Sequence, residues 1–284
     1  MIEPEYIDIH SHISFPHYDK DREAVIERMK EKNIWAIDVG TDFENSKRAS
    51  GNAAANHGIF ASAGLHPADD ENEDFDTAAY KKLFENPKVV AVGECGLDYF
   101  RFAQSKISPR PTSPLAQSKA GGNLKSKNYK ERQIENFKKQ IDLALELDKP
   151  LMIHCRDAYA DLLKILRSYS NTYGSKLRGN IHFFAGSWKE AEKFLDLDFT
   201  LSFTGVITFA REYDEVIKNA PIDMIMAETD SPFVTPIPYR GKRNEPIYVA
   251  EVVKQIAQIR GDDLNKVKGQ ILKNSLKMFS SGIY

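Results

Sequence analysis

The sequence predicts one α/β domain over residues 1–284, a (β/α)8 TIM barrel carrying a basic, mobile insertion after its fourth strand. Three observations point there. Short apolar runs alternate with longer amphipathic segments, the pattern of a parallel sheet covered by helices. The chain, at 284 residues, has the length of one large barrel and room for eight such units. No G-x-G-x-x-G or P-loop fingerprint follows any apolar run, which disfavours an open nucleotide-binding sheet.

The first four strand candidates are "YIDIHSHI" from Tyr6, "IWAIDVGT" from Ile34, "IFASAGLHP" from Ile59 and "VVAVGECGLD" from Val89. The other four are "PLMIHCRDA" from Pro150, "GNIHFFAGS" from Gly179, "FTLSFTGVIT" from Phe199 and "IDMIMAETDSP" from Ile222. Helical spacing separates them. In "DREAVIERMKEKN", Val25, Ile26 and Met29 share one face, and Ile134, Phe137, Ile141 and Leu145 do so in "QIENFKKQIDLALELDK". Two further helices are expected around Val249 to Ile259 and Leu264 to Met278. The segment Arg101 to Lys130 breaks the rhythm: it is rich in Ser, Pro and Gly, and holds seven Lys or Arg and no acid. Two readings of it stand side by side, a solvated insertion and a basic flap that touches phosphates at the barrel mouth.

Bulk composition narrows the class. With 28% charged residues and a net charge of −2, the chain has no global attraction to nucleic acid or anionic membrane, although a local patch remains open. Two cysteines, Cys95 and Cys155, are too few for a disulfide scaffold. The first residues lack a signal-peptide pattern, and no apolar run reaches the roughly 20 residues that span a bilayer. The expected compartment is the cytoplasm, with no membrane partner and no obligatory protein partner.

The ionisable residues carry the functional signal. Of seven histidines, five fall at or beyond the C-terminal ends of strand candidates: His10 and His12 on the first, His66 after the third, His154 on the fifth and His182 on the sixth. Glu94 ends the fourth and Asp230 the eighth. That rim is where barrel enzymes keep their chemistry. A carboxylate in an apolar run needs a cation, and neutral imidazoles around it make a divalent metal the fitting one. His10 and His12, two apart on a strand, share a face and with Asp230 can hold one ion. His154 and His182 can hold a second, and Glu94 can bridge both in the two-metal arrangement used for hydrolysis, with ions about 3.5–4 Å apart. A single histidine is more often a hydrogen-bonded core or surface residue; the convergence carries the reading, and His17 and His57, off the pattern, are read as structural or surface residues. Cys95 and Cys155 should face away from the mouth, and Glu228 should support the ligands from one layer deeper.

The motifs "DIHSHI", "GLHP", "VGECGLDY", "PLMIHCRDA", "IHFFAG", "ETDSP" and "RNEP" occur in the order seen in the TatD family of metal-dependent deoxyribonucleases, and the chain resembles that family from Tyr6 to the C-terminal helices. Many amidohydrolase-like relatives bridge two metals with a modified lysine on strand 4; Glu94 stands there in this sequence. The resemblance implies His10, His12 and Asp230 on one metal, His154 and His182 on the other, and Glu94 shared. It implies that His66 meets the substrate phosphate and that Asp230 takes the proton of the attacking water, making Asp230, Glu94 and His66 the catalytic set. Arg156 and Tyr99 are implied substrate contacts, and Asn244 and Glu245 fix the loop after strand 8. The Arg101 to Lys130 segment is longer than the family pattern, and Phe183 and Ala185 replace a usual cysteine and serine. The expected activity is phosphodiester hydrolysis in DNA, a 3'-5' exonuclease on single-stranded ends, with two divalent ions that are Mg, Mn or Zn. The competing readings are an amide or ester hydrolase, such as an aminoacyl-tRNA deacylase, and a non-catalytic binding protein stabilised by metal.

Overall fold

A computed structural model describes residues 3–68, 74–100 and 126–279. Eight parallel strands follow in chain order around a nearly closed barrel. They are β1 (Tyr6–Ser11), β2 (Ile34–Val39), β3 (Ile59–Ala63), β4 (Val89–Asp98), β5 (Leu151–Arg156), β6 (Gly179–Ile181), β7 (Thr200–Phe203) and β8 (Ile225–Ala227). The ends meet through backbone bonds just beyond the strands: His12 N–H donates to Ser231 O at 2.8 Å and Asp230 N–H donates to His10 O at 2.9 Å. Closure thus brings the two ends of the chain's site residues together.

The helices among the described residues are α1 (Arg22–Glu31), α2 (Phe43–Ala55), α3 (Thr77–Leu83), α4 (Ser126–Glu146), α5 (Tyr159–Tyr173), α6 (Trp188–Leu195), α7 (Asp214–Asn219), α8 (Val249–Arg260) and α9 (Leu264–Phe279). Val25, Ile26 and Met29 are the buried face of α1, as their spacing predicts. Asp42 starts α2 by accepting from Asn45 N–H, and a Ser187–Glu190 capping box starts α6. Two buried layers result. One lies between strands and helices and includes Ala36, Ala61, Cys95, Leu97, Ile153 and Cys155. The other fills the barrel itself with Ile7, Ile9, Trp35, Ile37, Met152, Met226 and Phe279. Phe279 ends α9 and plugs the bottom; burying such a ring is worth about 1.5–3 kcal/mol. Both cysteines belong to the outer layer, away from the mouth.

Boundaries differ from expectation in places that matter. Most of the expected insertion, residues 101–125, lies outside the described residues, while Ser126 to Lys130 already belongs to α4 instead of a loop. The long helical spacing of α4 simply extends upstream. Ile222–Met224 forms a 3-10 turn, so β8 is short and Asp230 stands three residues past it; His182 likewise follows β6 directly. Conversely, β4 continues four residues past Glu94.

Candidate metal centre

Register slips aim the ligands. Along β1, Ile7 and Ile9 point into the barrel, so strict alternation would send His10 outward. Between Asp8 and Ser11 three residues of β1 advance against two of β2, and the phase of the strand changes. His10 and His12 then both face the mouth. A second slip, between Val92 and Cys95 of β4 against β5, turns Glu94 inward. Gly96 permits the close approach there: its φ is +136°, and a Cβ would stand 2.0 Å from the carbonyl oxygen of His154.

The buried Glu94 carboxylate divides the histidines between its oxygens. Oε2 lies 3.4 Å from His10 Nε2 and 3.9 Å from His12 Nε2. Oε1 lies 3.0 Å from His154 Nδ1, 3.5 Å from His66 Nε2 and 3.7 Å from His182 Nε2. Asp230 Oδ1 is 3.4 Å from His12 Nε2 and 3.9 Å from His10 Nε2. Ligand-type atoms cluster within 4.8 Å in three overlapping groups: His10, His182 and Asp230; His10, His12 and Glu94; His66, Glu94 and His154. Neither ring nitrogen of the fully buried His10 completes a hydrogen bond. An imidazole left this way deep in a protein is costly unless its lone pair meets a cation.

Contacts at the far side of each ring orient it. His12 Nδ1 bonds to the carbonyl of Val39 at 3.0 Å and His154 Nε2 to Asp98 Oδ2 at 3.1 Å. Both partners accept, so in the neutral rings of His12 and His154 the other nitrogen presents a lone pair to the centre. His182 Nδ1 lies 2.9 Å from Glu228 Oε1, a charge contact without hydrogen-bond geometry. His66 is the reverse case. Its Nδ1 accepts from Ala68 N–H at 3.2 Å, so the neutral ring carries its proton on Nε2, toward Glu94. A ring so arranged presents a donor to the centre. Its Nε2 nonetheless lies close enough to Glu94 and His154 to share an ion with them.

The charges follow. Burial opposes ionisation of Glu94, yet His66, His10 and His154 together hold it well below the usual carboxylate range. Burial likewise opposes charge on His12, but the hydrogen bond with Asp230 and the charge of Glu94 push it up to about 9. His154, also opposed by burial, reaches about 9 through its bonds to Asp98 and Glu94. His10 goes down, from burial and the neighbouring His182. The charges on His12 and His154 thus offset those of the carboxylates they face.

A family model described as TatD related DNase matches residues 7–280. The chain belongs to the TatD-related DNase family. It is 36% identical over 277 residues to the metal-dependent hydrolase YabD of Bacillus subtilis (strain 168), covering 96% of this chain and 98% of that protein. It is 31% identical to the 3'-5' ssDNA/RNA exonuclease TatD of Erwinia amylovora, covering 96% and 98% respectively. The TatD homolog YJJV of Escherichia coli K12 superposes with a TM-score of 0.81 at 26% identity, over 97% of this chain and 98% of that one. As a TatD-family protein the chain is a metal-dependent hydrolase acting on ester bonds. The buried nitrogen and carboxylate donors, with His10 unbonded, fit a divalent metal.

The other expected residues are placed as follows. Tyr99 is 8% exposed and its hydroxyl donates to Asp161 Oδ2 at 2.9 Å. Arg156 is exposed at the end of β5, its guanidinium 3.7 Å over the Phe100 ring. Asn244 is buried and donates to the carbonyls of Thr229 (2.9 Å) and Phe233 (2.5 Å), while Glu245 pairs with Arg28 at 2.8 and 2.9 Å. Glu228 accepts from Phe183 N–H (2.7 Å) and Ser202 Oγ (2.8 Å) besides facing His182. Asp98 is the residue that sequence reasoning missed. Its place four positions after Glu94, on the same strand face, was the available signal. No helix among the described residues is long and apolar enough to cross a membrane.

Proposed function

We propose that this TatD-family chain is a two-metal exonuclease that removes nucleotides from the 3' ends of single-stranded DNA. The observation that carries the reading is the divided carboxylate: Glu94 Oε2 faces His10 and His12, and Oε1 faces His154 and His182. A carboxylate shared in this way is suited to bridge two ions, with Asp230 completing the His10–His12 side. Divalent ions held there would lower the pKa of a bound water and offset the negative charge on phosphate. The nitrogen-rich donor set favours Zn or Mn over Mg in affinity.

The protein's own groups then divide the work. Asp230, held low by its hydrogen bond with His12 despite burial, accepts the proton of the attacking water. His66 donates from Nε2 to a non-bridging phosphate oxygen, where charge builds as phosphorus is attacked. Val39, Asp98 and Glu228 keep the rings of His12, His154 and His182 respectively in place beside Glu94 and His10. Arg156, exposed at the rim, is the contact proposed for an outer phosphate; Tyr99, buried, is proposed to position α5 through Asp161. The similarity to the Erwinia exonuclease supports the direction and the single-stranded substrate.

The test is digestion of an end-labelled single strand with Mg²⁺ or Mn²⁺, wild type beside Glu94→Ala, with folding followed by circular dichroism. Stepwise shortening from the 3' end, lost in a folded variant, is expected. A metal-loaded wild type that leaves every strand intact while cleaving amides or carboxylic esters would replace this reading with the deacylase-type one.

A further inference from the structure

An aromatic cluster adjoins the metal centre on the side of β8 and β1. Phe233 follows Asp230 by three residues, and its ring is 44% exposed. Its centroid lies 6.4 Å from that of Phe15, at an interplanar angle of 74°, and 5.6 Å from that of His17, at 76°. Phe15 stacks on His12, 4.3 Å apart and 17° from parallel, and Phe233 itself is 6.4 Å from the His12 ring. A run of rings therefore leads from a metal-ligand histidine out to solvent.

This cluster is held firmly. Phe233 N–H donates to Asp230 O at 2.9 Å, Phe233 O accepts from the buried Asn244 at 2.5 Å, and Arg243 donates to the His17 carbonyl at 2.8 Å. Among the described residues the exposed large hydrophobics include Phe209, Phe233 and Ile237, all in the loops after β7 and β8, and Arg240 lies 4.1 Å over the Phe209 ring. Exposed rings beside the centre, tied down by hydrogen bonds to Asn244 and Arg243, make a binding surface. Aromatic rings beside a phosphate-handling centre suit nucleobases, whose faces stack irrespective of sequence.

We propose that Phe233, backed by Phe15 and His17, is the stacking platform for the base of the nucleotide next to the scissile phosphate. The inference rests on the nuclease reading above. Stacking through a π-face makes the platform tolerant of sequence and selective for a strand whose bases are unpaired and free to turn onto the ring.

The experiment compares wild type, Phe233→Ala and Phe233→Trp, each with Mn²⁺, on single strands ending in an ordinary or an abasic 3' nucleotide. Wild type should favour the base-bearing end about tenfold in kcat/KM, mostly through KM. Phe233→Ala should bring that ratio close to one, and Phe233→Trp should keep it. Both strands cut with a ratio that is unchanged in Phe233→Ala, or with no preference in wild type, overturns the platform and leaves the nuclease reading standing. Neither strand cut by wild type overturns the nuclease reading and the platform with it.

Discussion

Asp98 Oδ2 lies 3.1 Å from His154 Nε2, and the opposite nitrogen of the same ring lies 3.0 Å from Glu94 Oε1. One imidazole is therefore gripped between two carboxylates of β4, with different tasks. On the proposed two-metal reading, Asp98 takes the outer N–H and leaves the inner nitrogen to ligate. Partners of this kind typically account for 10–100-fold in metal affinity. Asp98→Asn should thus weaken metal binding by roughly that factor, measured by calorimetric titration of the metal-free protein. Wild-type affinity in the variant would show that Asp98 only packs.

His66 should separate from the ligands in a metal titration. Its Nδ1 accepts from Ala68, so its proton is on Nε2 and it serves as a donor. His66→Gln should bind metal as wild type does and lose about 10²–10³ in kcat, the usual cost of removing one donor to developing charge. His12→Gln, in contrast, should lose metal. A matching loss of metal in both variants would return His66 to the ligand set.

Proton and metal compete for the same nitrogens. His12 and His154 are raised to about 9 in the metal-free protein, above the ordinary histidine value of 6.5. A raised value means that the folded state holds the proton more tightly than the unfolded chain. The associated stability is fully present below pH 6.5 and is lost as pH rises toward 9. The melting temperature of the chelator-treated protein should fall across that window, while metal affinity should rise because binding expels these protons. Thermal melts at several pH values, with and without Mn²⁺, check both directions. A metal-free melting temperature that climbs from pH 6.5 to 9 would contradict the assignment.

Asn244 holds the loop that presents Asp230 and Phe233. Asn244→Ala leaves the carbonyls of Thr229 and Phe233 without a donor inside the protein. The cost should be roughly 2–4 kcal/mol, read from the urea midpoint. Activity should fall with it, since Phe233 N–H is bonded to Asp230 O and the two residues move together.

Much of the centre was legible along the chain. Glu94 stands out as an acid in an apolar run, and His10, His12, His154 and His182 fall at strand ends, because apolar patterning and residue chemistry are local properties. The apolar run "VVAVGECGLD" matches β4, but the expectation that Glu94 ends the strand did not hold: the glycines let β4 pass close to β5, and the continuing strand carries Asp98 to His154. His17 looked unremarkable for a related reason: nothing within its own loop reveals a ring 216 positions away.

The sequence by itself determined the barrel, its inward and outward apolar faces and the kinds of atom gathered at its mouth. Tertiary structure alone decided how those atoms are aimed. The slip of β1 against β2 turns His10 inward, Val39, Asp98 and Glu228 choose which nitrogen of each ring faces the centre, and Asn244 sets Phe233 beside Phe15 and His17. Those choices are made by hydrogen bonds, strand register and charge contacts between segments far apart in the chain. Such contacts exist only after the barrel closes, so local pattern hints at single members such as Glu228 but not at their pairing.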